Sequence, residues 1–356
     1  MDKIMKVTEG WTGPGRQDVV IERLKLEDDG LHINMGKRGM YEWWYFDAHL
    51  DSGYTIVIFF HASNPNPGLE GKIGVEMVLL RPDGKRYQKF FAYNKSDFIA
   101  TRDKPDVKIG RNTIKVDQQD GDLPVYDLFV KEKDFGCHLK YKAEINGWKP
   151  GTGLSKFGEM GLFGWVIPFA RASVEGSITD GDKIIPAMGI GYHDHNWLNF
   201  PFQRIINYWM WGRIYSENFT ATYAYIQCNN KVDNHTVKVL MLAHGQEVIL
   251  STGEFDFLKE DYEYDPRAKY RFPRKIVLRA PHKLNATLQV KKVLEAQDML
   301  TNYSPILRFI AKNVLRLKPG YFRLVSDCEL EVNHGGKTTK EVGTTLHEIV
   351  MFKSSE

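Results

Sequence analysis

Residues 189–197 read GIGYHDHNW and form the densest set of titratable groups in the chain. They continue a predicted strand at residues 183–187, and an extended backbone sends successive side chains to opposite sides. One side then holds Tyr192, Asp194 and Asn196, and the other holds His193, His195 and Trp197. The stretch therefore predicts a strand that presents different polar groups on its two faces.

Alternation with a period of two recurs along the rest of the chain. It is clear at residues 138–145, 284–290 and 327–332, where apolar side chains alternate with polar or charged ones. Such segments are typical of strands with one buried and one wet face. Hairpin turns are predicted at residues 82–84, 120–122, 180–182 and 334–336. Many short strands without alternating helices predict a mainly β protein, built from antiparallel sandwiches or barrels.

The length of the chain predicts two domains, because 356 residues exceed the roughly 100–200 residues of a usual domain. Residues 43–56 and 209–222 each hold an aromatic cluster, a hairpin turn and a β-rich strand, which suggests related units. The strand pattern is interrupted at residues 199–201. We therefore expect one β domain at residues 1–200 and a second at residues 201–356.

Composition and charge limit the classes of function. A net charge of +3 and the lack of a basic run interleaved with aromatic residues argue against a nucleic-acid partner. Cys137, Cys228 and Cys328 lie far apart, which argues against a disulfide framework and fits a reducing compartment. The N-terminus has no apolar signal region, and no stretch approaches the ~20 apolar residues of a membrane-spanning helix. These features predict a cytoplasmic protein.

Residues 305–317 carry a helical pattern. Apolar residues share one face at helical spacing, and Arg308, Lys312 and Arg316 form a basic stripe. The pattern predicts a short amphipathic helix packed against a barrel. A second interpretation places the basic face on membrane headgroups, as a peripheral contact that helps a lipid-soluble substrate enter.

Asp194 and Tyr192 suit acid chemistry. Burial among apolar groups disfavours a carboxylate, so an Asp in such a place can stay protonated and donate a proton. The alternative is a polar network that only orders the structure, since buried polar groups usually satisfy one another.

His193 and His195 form an H-x-H pair, a spacing that can hold zinc or iron from one strand. Further ligands would have to come from residues such as His61, His49 or Glu42. No second ligand motif has a telling spacing, so we expect no metal.

Aromatic residues supply candidate walls for an apolar pocket. The chain has 20 Phe, 17 Tyr and 8 Trp, which suits both sheet surfaces and pockets for large apolar ligands. The alternative is a tryptophan-rich core whose polar tips need partners. A glycine-rich stretch at residues 151–164 is predicted to form a mobile loop over the pocket. The candidate binding residues are Glu42, Trp43, Trp44, Tyr45, Trp165, Trp197, Trp209 and Trp211.

Three motifs in this order resemble a known superfamily: residues 42–45 (EWWY), 191–197 (GYHDHNW) and 209–213 (WMWGR). The set is similar to the carotenoid 1,2-hydratases (hydroxyneurosporene synthases) and AttH-type proteins, a superfamily that includes fungal lipocalin-type Diels–Alderases. The resemblance covers about residues 40–215. It implies two lipocalin-like β domains packed together, with a hydrophobic cavity near their junction and no cofactor.

The resemblance also implies roles for individual residues. Tyr192 and Asp194 match the Tyr-x-Asp pair of the hydratases, which implies that Asp194 is the proton donor. The hydratases also use a His-x-Trp element upstream. Here residues 163–165 keep the Trp, and Phe163 stands in place of the His.

We therefore expect a cofactor-independent enzyme that acts on an apolar isoprenoid or polyene. Protonation of an alkene creates a carbocation, which aromatic faces stabilise by cation–π attraction. Capture by water gives a hydratase, and capture by an internal double bond gives a terpenoid-cyclase-like reaction. Alternatives are a pericyclase of the Diels–Alderase type, acting by orientation, and a lipocalin-like carrier without chemistry. The catalytic candidates are Asp194, Tyr192, His193 and His195.

Overall fold

The computed structural model describes residues 4–35, 37–66, 68–118, 122–302 and 318–352. The helix predicted at 305–317, and with it the membrane contact, lies outside these ranges. Within them, helical structure is limited to short 3-10 segments, and no helix has the length and hydrophobicity to cross a membrane. The described chain is mainly β, as the alternation predicts.

Sheet 1 contains thirteen of the described strands, all paired antiparallel. They are β1 (Val7–Glu9), β2 (Tyr41–Leu50), β3 (Thr55–Ser63), β4 (Ile73–Leu80), β5 (Arg86–Tyr93), β6 (Phe98–Ala100), β7 (Val107–Ile109), β8 (Asn112–Asp117), β9 (Val125–Lys131), β10 (Phe135–Ala143), β11 (Leu154–Phe157), β12 (Gly161–Asp180) and β13 (Lys183–Leu198). The strand order is β5-β4-β3-β2-β13-β12-β10-β9-β8-β7-β6, and β11 joins β1 to β12.

Sheet 2 contains the remaining nine described strands, also antiparallel. They are β14 (Ile206–Tyr215), β15 (Phe219–Cys228), β16 (Thr236–His244), β17 (Glu247–Thr252), β18 (Asp256–Asp265), β19 (Tyr270–Ala280), β20 (Leu284–Asp298), β21 (Gly320–His334) and β22 (Lys337–Met351). The strand order is β17-β16-β15-β14-β22-β21-β20-β19-β18. The 3-10 segments are Leu26–Asp29, Lys95–Asp97, Phe202–Arg204, Asn230–Val232 and Met299–Asn302.

The two sheets share a plan, and both curl into barrel-like shapes. In each, four consecutive strands lie side by side, and the first of the four also pairs with the last strand of its sheet: β2 with β13, and β14 with β22. The two segments with related aromatic patterns occupy equivalent hairpins, β2–β3 and β14–β15. The chain passes from sheet 1 to sheet 2 between residues 198 and 206. The division into two domains near residue 200 stays a prediction.

The alternating segments predicted as strands lie in β10, β20 and β21. The glycine-rich stretch at 151–164 differs from its prediction, because it contains β11 and the start of β12 where a loop was expected. Packing explains the glycine at position 164, because a Cβ there would collide with the indole of Trp197 on the neighbouring strand. Glycine therefore permits close approach of two strands at this point.

Three apolar clusters fill the described structure, one within each sheet and one made of residues from both sheets. Strand β2 shows how alternation divides its side chains between two of them. Trp44 and Phe46 belong to the cluster of sheet 1, whereas Tyr45 belongs to the shared cluster. On β13, Tyr192 likewise belongs to the shared cluster and Trp197 packs on that of sheet 1.

Candidate functional site

An apolar cavity of about 240 Å³ lies among residues of both sheets. Its aromatic walls come from sheet 1 through Trp43, Tyr45, Phe59, Phe163 and Trp165. The second half of the chain contributes Phe202, Trp209, Trp211, Tyr321 and Phe352. The polar groups at its edge include Asp194 and Asn196 of β13, His61 of β3 and Glu348 of β22.

Asp194 carries the carboxyl group of β13 that faces this cavity, and only 7% of the residue is exposed. Tyr192 Oη and Trp165 Nε1 donate to its Oδ2 at 2.9 and 3.1 Å, and Asn196 Nδ2 donates to its Oδ1 at 2.8 Å. Burial raises the pKa of Asp194 to about 6, although these hydrogen bonds act in the opposite direction. The group can therefore exchange a proton near neutral pH.

Tyr192 lies behind Asp194 and is fully buried. Its ring stacks on Trp211 with a centroid separation of 5.3 Å, and the Arg213 guanidinium lies 4.7 Å from its ring centre. Burial, the charge of Asp194 and their hydrogen bond raise the pKa of Tyr192 well above its usual value, so the phenol stays neutral. Arg213 is engaged in a two-point ion pair with Asp47, which leaves Asp194 with neutral hydrogen-bond donors.

The opposite face of β13 points into sheet 1. His193 Nε2 lies 3.0 Å from Asp29 Oδ2, and its Nδ1 donates to a backbone carbonyl of β2. His195 lies 3.1 Å from Asp29 Oδ1 and 2.9 Å from Glu42 Oε1. Burial acts against a charged imidazole, but the contacts with Asp29 and Glu42 raise the pKa of His195 to about 9. This face is a closed, charged network.

Aromatic rings complete the closed face. Trp44 stacks on His195 with a centroid separation of 4.5 Å, and Trp197 stacks on His32 at 3.6 Å. Tyr126 donates to Asp29 at 2.7 Å. No cluster of His, Cys, Asp and Glu among the described residues has a metal-binding arrangement.

The alternation of β2 and β13 thus sorts the predicted site residues into two groups. Around the cavity the structure brings together Trp43, Tyr45, Trp165, Trp209, Trp211 and Asp194, with Tyr192 bonded to Asp194 from behind. It does not bring Glu42, Trp44, Trp197, His193 or His195 to that cavity, because these face the interior of sheet 1.

Several cavity residues were not predicted to line an apolar pocket, although His61 was named as a possible metal ligand. Phe59 and His61 are two positions apart on β3 and therefore share the face that lines the cavity. Their spacing is visible in the sequence, but the pairing of β3 with β2 is needed to place that face. Glu348 accepts a hydrogen bond from Trp211 Nε1 at 3.1 Å and also binds Arg323. Trp211 and Glu348 are 137 positions apart in the chain, so no local signal predicts that contact.

No protein-family model and no curated protein sequence matches the chain. Solved structures share its fold. A putative AttH from Nitrosomonas europaea is 16% identical, with 92% of this chain and 96% of that chain covered and a TM-score of 0.63. CghA with Sch210972 is 12% identical, with 99% and 100% covered and a TM-score of 0.62. Kievitone hydratase from Nectria haematococca is 16% identical, with 98% of each chain covered and a TM-score of 0.57.

These solved structures confirm the fold that the resemblance implies. One of them is named as a hydratase. At identities of 12–16% the likeness concerns architecture. The reaction of this chain depends on the chemistry of its own site.

Proposed function

We propose that the protein is a cofactor-independent enzyme that protonates an alkene of an apolar isoprenoid or polyene, with Asp194 as general acid. The observation that carries this proposal is a nearly buried carboxyl group, with a pKa raised to about 6, on the wall of an aromatic cavity. A raised pKa keeps part of the carboxyl population protonated near neutral pH, where an ordinary Asp would be ionised and unable to donate a proton.

Burial favours the acid form of Asp194, and its hydrogen-bond donors offset this effect only in part. Its donors are neutral groups, since Tyr192, Trp165 and Asn196 carry no charge and Arg213 is held by Asp47. Oδ2 accepts two hydrogen bonds and Oδ1 accepts one, so Oδ1 has the free lone pair for the acidic hydrogen.

The proposed step moves the acidic hydrogen of Asp194 to one alkene carbon, whose π electrons form the new C–H bond. The other alkene carbon becomes a cation, and Trp43, Tyr45 and Trp211 offer ring faces that stabilise it. In hydration, water forms a C–O bond and returns a proton to the Asp194 carboxylate. In cyclisation, an internal double bond forms a C–C bond, and loss of a proton to the carboxylate completes an isomerisation.

In this proposal His193 and His195 position β13 and do not touch the substrate. Their contacts with Asp29 and Glu42 hold the strand from its other face. Glu42, Trp44 and Trp197 then act with them, as supports for the strand.

The second candidate is a pericyclase of the Diels–Alderase type, which would use the cavity only to fold its substrate. The fold shared with CghA favours it. A carrier without chemistry is the third. In both, Asp194 would hold the cavity wall through its three hydrogen bonds.

The test compares the wild-type protein with Asp194→Asn, each incubated with candidate isoprenoids and examined by mass spectrometry. We expect a product that has gained one water or an isomer of equal mass, and a fall in its rate of roughly 10²–10⁴-fold in the variant. Asp51→Asn, at an exposed turn, serves as the matched control.

Equal product formation by Asp194→Asn would overturn the role of Asp194 and favour the pericyclase. A ligand that binds and stays unchanged in both proteins would overturn catalysis altogether.

A further inference from the structure

His61 is a polar group of the cavity that the proposed acid chemistry does not use. It lies on β3, its side chain lines the cavity, and 2% of the residue is exposed. Its Nδ1 has no hydrogen-bond partner in the described structure, and its Nε2 has only a 3.5 Å contact with Glu76. Buried polar groups in proteins are normally paired, so an unpaired one in a cavity wall indicates a partner that enters the cavity.

Glu76 on β4 fixes one side of this ring. Its Oε2 lies 3.5 Å from His61 Nε2, and its Oε1 accepts a hydrogen bond from Gln88. Burial acts to raise the pKa of Glu76, but its contacts with His61 and Gln88 and the charge of Arg86 hold that pKa below its usual range. A charged Glu76 therefore orients Nε2 toward itself and leaves Nδ1 for another partner.

Aromatic packing restricts the ring further. Phe59 lies parallel to it with a centroid separation of 5.5 Å, and Phe90 lies at 5.8 Å. With Glu76 on one edge and rings on its flanks, His61 is a preorganised group.

The register places His61 at a defined distance from Asp194. His61 pairs with Trp43 on β2, whereas Asp194 pairs with Tyr45 on the same strand. The two residues therefore lie two strands and two positions apart on one face of sheet 1. Strand spacings of ~4.8 Å and ~3.4 Å per residue put their Cα atoms about 12 Å apart. Trp43 and Tyr45 form the apolar wall between them.

We propose that His61 is a specificity-determining residue that binds a hydroxyl group of an otherwise apolar substrate, on the far side of Trp43 and Tyr45 from Asp194. This rests on the proposed function and narrows its substrate class to isoprenoid or polyene alcohols. A hydroxyl both donates and accepts, so it satisfies Nδ1 in either protonation state of the ring. A site built for a hydroxyl discriminates against the analogue that lacks it.

The test uses farnesol and its hydrocarbon analogue farnesene as matched probes. Binding of each is followed by quenching of tryptophan fluorescence, because Trp43, Trp165, Trp209 and Trp211 line the cavity. The measured quantity is the ratio of the farnesene Kd to the farnesol Kd. We expect His61→Phe to lower this ratio roughly tenfold and to leave farnesene binding nearly unchanged.

Three further variants separate recognition from damage to the fold. His61→Gln keeps a hydrogen-bonding group and should retain most of the preference for farnesol. Glu76→Gln should lower the ratio without changing the farnesene Kd, since Glu76 is a positioning residue. His49→Phe removes a half-buried histidine of β2 that bonds Thr55 and does not line the cavity, and should keep the wild-type ratio.

Retained farnesene binding by His61→Phe also reports that the variant is folded. An unchanged ratio in that variant would overturn the role of His61 and leave the apolar cavity intact. If the wild-type protein bound neither probe, both this inference and the proposed function would fail.

Discussion

On β13, Asp194 faces an apolar cavity and the adjacent His195 faces the interior of sheet 1. Both are almost completely buried, and both have pKa values moved upward, to about 6 for Asp194 and about 9 for His195. For Asp194 the cause is burial, which favours the uncharged acid and outweighs the hydrogen bonds from Trp165, Tyr192 and Asn196. For His195 the contacts with Asp29 and Glu42 outweigh burial and favour the charged ring. The charge of the partners, more than the depth of burial, sets the chemistry of each face.

The two faces of β13 differ in the charge of the groups that surround their titratable residues. On the closed face, the carboxyl groups of Asp29 and Glu42 lie within about 3 Å of the rings of His193 and His195. On the cavity face, one carboxyl group has no charged partner among its hydrogen bonds. Changes to the closed face should therefore affect stability, and changes to the cavity face should affect the reaction.

Removal of Asp29 should have the largest effect on stability. Asp29→Ala leaves His193 and His195 without their shared carboxylate and Tyr126 without its acceptor. We expect the free energy of unfolding to fall by roughly 3–5 kcal/mol, measured by urea denaturation. Asp51→Ala, at an exposed turn, should stay within about 0.5 kcal/mol of wild type. A loss for Asp29→Ala no larger than that of the control would contradict the closed network.

His195 should make the protein sensitive to alkaline pH. Because the pKa of His195 is higher in the folded protein than its unfolded value of 6.5, the charged ring stabilises the fold fully below pH 6.5. This stabilisation is lost as the pH rises toward about 9. The loss should be roughly 3 kcal/mol relative to His195→Gln, measured as the difference in unfolding free energy between the two proteins across this window. A difference that does not change with pH would show that His195 is not held as a cation.

Asp194 should make stability and activity depend on pH over a lower range than His195 does. Because its folded pKa is above its unfolded value of 3.8, folding favours the protonated acid, and stability falls as pH rises toward about 6. Relative to Asp194→Asn, the free energy of unfolding of the wild-type protein should fall by roughly 2–3 kcal/mol between pH 3.8 and about 6. Product formation should also decline above pH about 6, as the acid loses its proton. A stability difference between wild type and Asp194→Asn that does not change with pH would show that the pKa of Asp194 is the same in the folded and unfolded protein.

Trp165 should have the smallest effect, by tuning the acid. Its indole N–H donates to Asp194 Oδ2 and favours the carboxylate, so Trp165→Phe should raise the pKa of Asp194 by about one unit, or about 1.4 kcal/mol. The decline in the pH–rate profile should move upward by that amount. Trp209→Phe, which changes a cavity wall residue, should leave the midpoint in place. Equal midpoints in all three proteins would indicate that the indole does not tune Asp194.

Much of the fold follows from local pattern. Alternation in residues 138–145, 284–290 and 327–332 gave the correct strands, because side-chain direction along a strand is fixed by the backbone itself. The prediction of a loop at 151–164 was wrong, because glycine occurs both in turns and where two strands approach closely. There Gly164 makes room for Trp197, a neighbour that the local pattern cannot indicate.

The sequence by itself determined that β13 has two chemically different faces, with Tyr192 and Asp194 together on one of them. Only the tertiary structure decided which face meets a cavity and which is closed. Glu42 lies 153 residues before His195, and Asp29 lies 164 residues before His193, so no local spacing could pair them. The cavity likewise needs His61 and Glu348 from distant strands. Periodicity is a property of the backbone, whereas a site depends on how separate sheets pack.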